Sequence, residues 1–114
     1  MPTPDQGKSL LDAVSEIRSA QGLLRETSYA TSDVAVLIKI NTAYTHLDSV
    51  ITQMLHAQTL ADDVLFAGTV SALKQEASKL AAEEAQIKSI ISDVNTAAKI
   101  VGYIGQAVDL IAGL

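Results

Sequence analysis

The chain has 114 residues, with 13 acidic and 8 basic side chains and a net charge of −5. Apolar residues make up 48% of it and charged residues 18%, against roughly 25% charged in an average soluble domain. The absence of cysteine excludes a disulfide scaffold, a thiolate zinc site and a thiol nucleophile. The acidic balance argues against sequence-independent binding to nucleic acid, because that binding depends on lysine and arginine. We expect one domain, residues 1–114, with a core of its own.

The N-terminal segment carries the start signals of a first helix. Both prolines lie within the first four residues and nothing after them forbids a helix, so the sequence predicts an all-α fold. Thr3 is placed to cap this helix, Pro4 takes its first position and Gln6 completes a capping box. Apolar residues at alternating spacings of three and four predict a helix over residues 5–27. The hydroxyl-rich residues 28–32 predict a turn, and a single long helix with a phase slip is the alternative.

A second helix is predicted over residues 33–58, with Ser32 or Asp33 as its cap. Its apolar residues keep the same spacing, and a second stripe with a period of seven lies beside them. The apolar face is therefore wide, as in the interior of a helical bundle. A second capping-box pattern in residues 59–62 predicts the next turn. The main stripe of this helix consists of Leu37, Ile40, Tyr44, Leu47, Ile51 and Met54.

The last segment has the most regular pattern of the chain. From Phe66 to Ala112, apolar residues alternate at spacings of four and three, with Glu84 as the one polar member. This unbroken phase predicts one continuous or bent helix over residues 60–112. A break near residues 92–96, where aspartate and asparagine are weak helix formers, gives four helices instead. The expected fold class is an all-α antiparallel bundle of three or four helices.

Candidate residues for catalysis or for binding a metal or cofactor are sparse. No glutamate precedes a histidine by three residues, as a di-iron bundle requires. His46 and His56 have no ligand partner one turn away and are interpreted as partly exposed polar residues. Gly102 and Gly105 lie in a predicted helix rather than in a phosphate-binding turn. The sequence therefore predicts no enzyme, no metal ion and no cofactor.

Two features of the last helix predict packing roles. Glu84 is expected to reach the bundle edge, paired with Lys88 one turn later, or to fix helix register as a buried polar residue. A catalytic carboxylate is the remaining alternative for it. Ala98 and Gly102 form a small-x-x-x-small pair, which lets helix backbones approach closely. We interpret this pair as a site of close helix packing, with a membrane dimer as the alternative.

The C-terminal segment is apolar nearly all round, since only Lys99 and Asp109 are charged from residue 97 onward. Two shorter helices would leave part of this surface uncovered, and an uncovered apolar helix face requires a partner. We therefore expect a homo-oligomer or a helical protein partner that contacts this segment. The expected contact residues, which would equally meet a lipid, are Ile100, Tyr103, Ile104, Val108 and Ile111.

The function predicted from these features is a non-catalytic module for protein–protein interaction or assembly. Alanine-rich helices with a long heptad stripe and an apolar end resemble small helical secretion substrates and helical pore-forming toxins. The chain has no tryptophan and so lacks the Trp-x-Gly turn that marks one such group. A lipid-binding or membrane-active bundle using the C-terminal helix is the alternative function. No signal peptide is recognisable and no stretch has the about 20 apolar residues of a membrane span, which leaves the compartment open.

Overall fold

Four α-helices joined by three short connections make up the protein in a computed structural model, which describes residues 1–114. The helices are α1 (Pro4–Ala30), α2 (Val34–Thr59), α3 (Asp63–Ile90) and α4 (Val94–Ala112). Each connection has three residues, so the chain reverses direction and consecutive helices lie side by side. α1 packs against α2 and α4, and α3 packs against the same two helices, while the diagonal pairs do not meet. The resulting helical bundle measures 46 × 21 × 20 Å.

An aspartate at the end of each connection starts the helix that follows. Asp33 accepts hydrogen bonds from the backbone N–H groups of Ala35 and Val36, at 2.9 and 3.3 Å. Asp62 and Asp93 cap α3 and α4 in the same way. Each carboxylate satisfies orphan donors of the first turn and lies at the positive end of the helix dipole. The three connections therefore end in the same way, with an aspartate that caps the start of the next helix.

The predicted start of α1 is confirmed. The Gln6 backbone N–H donates to Thr3 Oγ1 at 3.1 Å, and the Thr3 N–H donates to Gln6 Oε1 at 3.0 Å, so both halves of the capping box are present. The turn predicted at residues 28–32 comes later, because α1 continues into that segment. The hydroxyls of Thr27 and Ser28 donate to carbonyls of their own helix instead of ending it.

The prediction of one continuous helix over residues 60–112 is wrong, because the chain turns back at residues 91–93. The backbone at Asp93 is extended, and its side chain accepts a hydrogen bond from the Thr96 N–H at 3.0 Å. The turn places α4 against both α1 and α3, where its isoleucine-rich face is buried. The apolar burial gained in this way outweighs the few backbone hydrogen bonds that a continuous helix would keep.

The apolar stripe also changes phase at this break. In α3 the buried residues follow the predicted stripe, whereas in α4 the stripe residues Val101 and Val108 are only partly buried. Because the connection is not helical, packing sets the rotation of α4 about its axis independently of α3. The prediction of an unbroken phase is therefore wrong beyond residue 91. The buried face of α4 consists of Ala97, Ile100, Ile104, Ala107 and Ile111.

The core is a single cluster of 25 buried residues to which all four helices contribute. Gln21 is the one polar residue buried with it, and its side-chain amide donates to the Tyr44 carbonyl at 3.2 Å. Arg25 extends this link between α1 and α2, because its guanidinium donates to the Tyr44 hydroxyl and lies 5.4 Å from the ring centroid. The α1–α2 contact is therefore fixed by polar as well as apolar groups.

Candidate functional site

The residues predicted to contact a partner lie in or against the core of the protein's own fold. Ile100, Ile104 and Ile111 are fully buried, and Tyr103 and Val108 are partly buried against the same core. α4 brings them there because it folds back between α1 and α3. These five side chains do not form a free surface. The reasoning that the C-terminal segment lacks cover within its own chain is therefore wrong.

The small residues predicted to pack closely against another helix face solvent. Ala98 and Gly102 are both exposed, and a Cβ added at Gly102 would meet no atom within 4 Å. The phase change at the start of α4 turns this side of the helix outwards. The prediction of close packing at Ala98 and Gly102 is therefore wrong within this chain.

Glu84 lies partly buried where α3 meets α4. One of its carboxylate oxygens is 3.9 Å from the position that a Cβ on Gly105 would take, which is an ordinary van der Waals distance and places the carboxylate beside Gly105 of α4. The pairing with Lys88 is not formed, since neither residue belongs to the five ion pairs of the protein. A role for Glu84 in helix register stays a prediction.

Three ionisable side chains, which we call the His46 triad, join α2 to α3. His46 Nδ1 lies 3.0 Å from Glu83 Oε1, and His46 Nε2 lies 3.1 Å from Glu76 Oε2. The three side chains are 23%, 13% and 25% exposed for His46, Glu83 and Glu76. Lys79 adds a longer contact of 3.4 Å to the other oxygen of Glu76. The imidazole is thus held between two carboxylates of one neighbouring helix.

With both glutamates ionised, the two contacts of His46 can be hydrogen bonds at the same time only when its imidazole is charged. Carboxylate oxygens only accept, so both ring nitrogens of His46 must donate for both contacts to be hydrogen bonds, and only the imidazolium carries two N–H groups. The hydrogen bond from His46 lowers the pKa of the Glu76 carboxyl from its ordinary value of 4.5, and Lys79 adds to this effect while desolvation opposes it. The second oxygen of Glu83 is buried without a hydrogen-bond partner, which leaves one uncompensated acceptor in the triad.

Sequence analysis missed the His46 triad, although half of its signal is local. Glu76 and Glu83 are seven residues apart on α3, a spacing that places both on one face of the helix. The other half is tertiary, because His46 meets them only when α2 and α3 are aligned and rotated as they are in the bundle. A search for polar residues repeating at a period of seven would have found the glutamates but not their partner.

The outward side of α2 is an exposed surface with few charges. Of the 26 residues of α2 only Lys39 and Asp48 are formally charged, whereas α1 and α3 carry seven charged residues each. Along this side exposed residues alternate at spacings of four and three, which is the spacing of a helix–helix contact. We call this set the α2 outer stripe. It consists of Val34, Ile38, Asn41, Thr45, Asp48, Thr52 and Leu55.

The two ends of the α2 outer stripe are apolar. Val34 and Ile38 are 67% and 62% exposed at the first end, and Leu55 is 38% exposed at the other. Tyr29, on the last turn of α1, is also exposed and lines a groove of about 400 Å³ together with Leu37 and other residues of α2. Exposed apolar side chains grouped in this way are typical of contact surfaces.

Comparison of the chain with protein-family models, with curated proteins and with solved structures finds no match. No group of three or more histidine, aspartate or glutamate side chains has the arrangement needed to hold a metal ion. None of the four helices combines the length and the apolar character needed to cross a membrane. The His46 triad and the α2 outer stripe are therefore the two features from which function is inferred.

Proposed function

We propose that the protein is a non-catalytic helical module for protein–protein interaction that associates with a second copy of itself through the α2 outer stripe. Its scaffold is an antiparallel four-helix bundle. The function is the one expected from the sequence, but the contact moves from α4 to α2, because the isoleucines of α4 are used in the core. The observation that carries the proposal is the exposed alternation of four and three along α2.

The stripe is complementary to itself in an antiparallel, two-fold arrangement centred on Thr45. In that register Val34 meets Leu55 of the second copy, and Asn41 meets Asp48, so that an amide N–H donates to a carboxylate at two equivalent places. A parallel arrangement would place the Asp48 carboxylate of one chain beside the Asp48 carboxylate of the other, and the two negative charges would repel each other. The sequence of the stripe therefore favours a symmetric antiparallel dimer.

Sedimentation or light scattering at about 10 µM and about 300 µM tests this association over the range of a weak helix–helix contact. The wild-type chain is expected to change from monomer towards dimer. Ile38→Glu places a charge in the contact and is expected to keep the chain monomeric without unfolding it, because Ile38 is 62% exposed in the monomer. Val64→Glu, at an apolar residue outside the stripe that is 81% exposed, is the matched control and should associate like the wild type.

An exchange of the polar pair tests the register. Asn41→Asp alone brings carboxylates together and should weaken association about tenfold or more. Combining it with Asp48→Asn restores an amide opposite a carboxylate and should recover most of the wild-type affinity. A wild-type chain that stays monomeric at the higher concentration contradicts the proposal, and a double variant as weak as the single one contradicts the antiparallel register.

Membrane association remains the second candidate, because α4 carries only Lys99 and Asp109 as charges and has a continuous isoleucine-rich face. That face is buried, so α4 would have to leave the bundle before lying in a bilayer interface. Flotation of the full chain with neutral and with anionic vesicles tests this candidate. Recovery of the chain with the vesicles supports it, and absence from both vesicle fractions removes it.

A further inference from the structure

The four contacts between neighbouring helices are unequal. The α1–α4 contact is the most extensive, and the α2–α3 contact on the opposite side of the bundle is the least extensive. Local opening of a fold proceeds where the least packing is lost. Separating α2 from α3 therefore loses the least packing of the four contacts, and the His46 triad lies across that contact.

We infer that the His46 triad is a pH-sensitive latch that holds α2 against α3 and controls how often the bundle opens along this contact. The latch depends on three charges at once: an imidazolium with two N–H donors and two carboxylates that accept from it. The three side chains are at most 25% exposed, so their hydrogen bonds are less weakened by water than those of surface ion pairs. The inference is independent of self-association, since His46 lies outside the α2 outer stripe.

The charged groups around His46 come from both helices that form the contact. On α3 they are Glu76, Glu83 and Lys79, of which Lys79 contacts Glu76. On α2, His56 lines the same groove as Glu76 but is exposed. α1 packs against α2 and α4 packs against α3, and neither contributes an ion pair to His46, Glu76 or Glu83. The carboxylates thus outnumber the nearby lysine, and the imidazolium is the cation placed between them.

A change of protonation state weakens the latch at both ends of its pH range, by protonation of the glutamates in acid and by deprotonation of the imidazolium in alkali. In acid the glutamates become neutral, and the charge-assisted bonds are lost. In alkali the imidazole keeps one N–H and can donate to only one carboxylate, while its bare nitrogen faces the other. One oxygen of Glu83 is buried without a hydrogen-bond partner. The alkaline state is therefore more costly, because loss of the imidazolium removes a charged hydrogen-bond partner from an already incompletely paired carboxylate. The latch is therefore strongest where the imidazole is charged and both carboxylates are ionised.

Thiol labelling tests the latch directly, because the chain has no cysteine of its own. Val50→Cys introduces a thiol at a fully buried position one turn from His46, and Ala20→Cys introduces one at a fully buried position of α1. Each is labelled by a thiol reagent in the full chain, with and without His46→Ala. The exposed His56→Ala on the same helix is the matched control. Rates are compared at equal pH, so that ionisation of the thiol itself cancels.

At pH 6, His46→Ala removes both hydrogen bonds of the imidazolium, so it is expected to accelerate labelling at Val50→Cys about tenfold or more and to leave Ala20→Cys unchanged. The acceleration should shrink to about twofold or less at pH 9, where the parent has lost its second donor. Glu76→Gln, which keeps the side-chain shape, should also accelerate labelling at Val50→Cys and leave Ala20→Cys unchanged. Equal rates with and without His46→Ala at pH 6, equal acceleration at both thiols, or the same acceleration by His56→Ala each overturn the inference.

Discussion

Truncation of Ile104 measures whether α4 belongs to the core. Ile104 is fully buried on the face of α4 that packs between α1 and α3. Ile104→Ala removes three carbon atoms, which corresponds to about 2.4 kcal/mol at about 0.8 kcal/mol for each buried CH₂ group. The cavity left behind adds to this, so we expect the free energy of unfolding to fall by about 3–4 kcal/mol. With a urea dependence of about 1.5 kcal/mol per molar, the midpoint falls by about 2–3 M.

Urea unfolding followed by circular dichroism is the assay, and Val94→Ala is its control. Val94 lies on the same helix but is 78% exposed, so its truncation should change stability by less than about 0.5 kcal/mol. If Ile104 instead served a contact between chains, Ile104→Ala would alter the mass of the assembly and leave the dilute monomer as stable as the wild type. A midpoint within about 0.3 M of the wild type would refute the placement of Ile104 in the core.

Three further predictions concern single sites, each read by the same unfolding experiment. Asp93→Ala removes the cap of α4 and should cost about 1 kcal/mol, while Ser92→Ala beside it should cost less than half of that. Gly102→Ala should stabilise the protein by about 0.5–1 kcal/mol, since the added Cβ meets no atom; a loss would indicate that a helix packs there. Glu76→Gln should destabilise the protein above the ordinary carboxyl pKa of 4.5, and the difference should vanish as the pH falls further. The lowered pKa of Glu76 fixes this sign, because the charged form that His46 binds is lost in acid; a difference that persists at pH 3 contradicts it.

Much of the fold was predictable because its signals are local. The capping box at Thr3 and the start of α2 at Asp33 involve groups within three residues of each other. The buried positions of the first three helices follow the spacing of three and four that any core-facing helix requires. These parts needed no knowledge of how the helices meet, and they agree with the structure to within a few residues at each boundary.

The candidate sites were less predictable, for a different reason in each case. The α2 outer stripe was visible in the sequence as polar and apolar residues, but only burial shows which side of α2 the other helices leave open. The His46 triad depends on residues 30 and 37 positions apart, and such a pairing has no local signature. The contact predicted on α4 was wrong because it assumed two companion helices where the bundle supplies three.

The amino-acid sequence determined that this protein is helical and which side of each of its first three helices faces the core. Both properties follow from interactions between residues within about four positions of each other. Tertiary structure alone decided that the chain turns back after Ile91, that α4 presents Ile104 rather than Val101 to the core, and that His46 stands between two glutamates. The physical reason is that helix rotation and alignment are set by burying the total apolar surface of four packed helices. No single segment of the sequence determines how much apolar surface the four helices bury together.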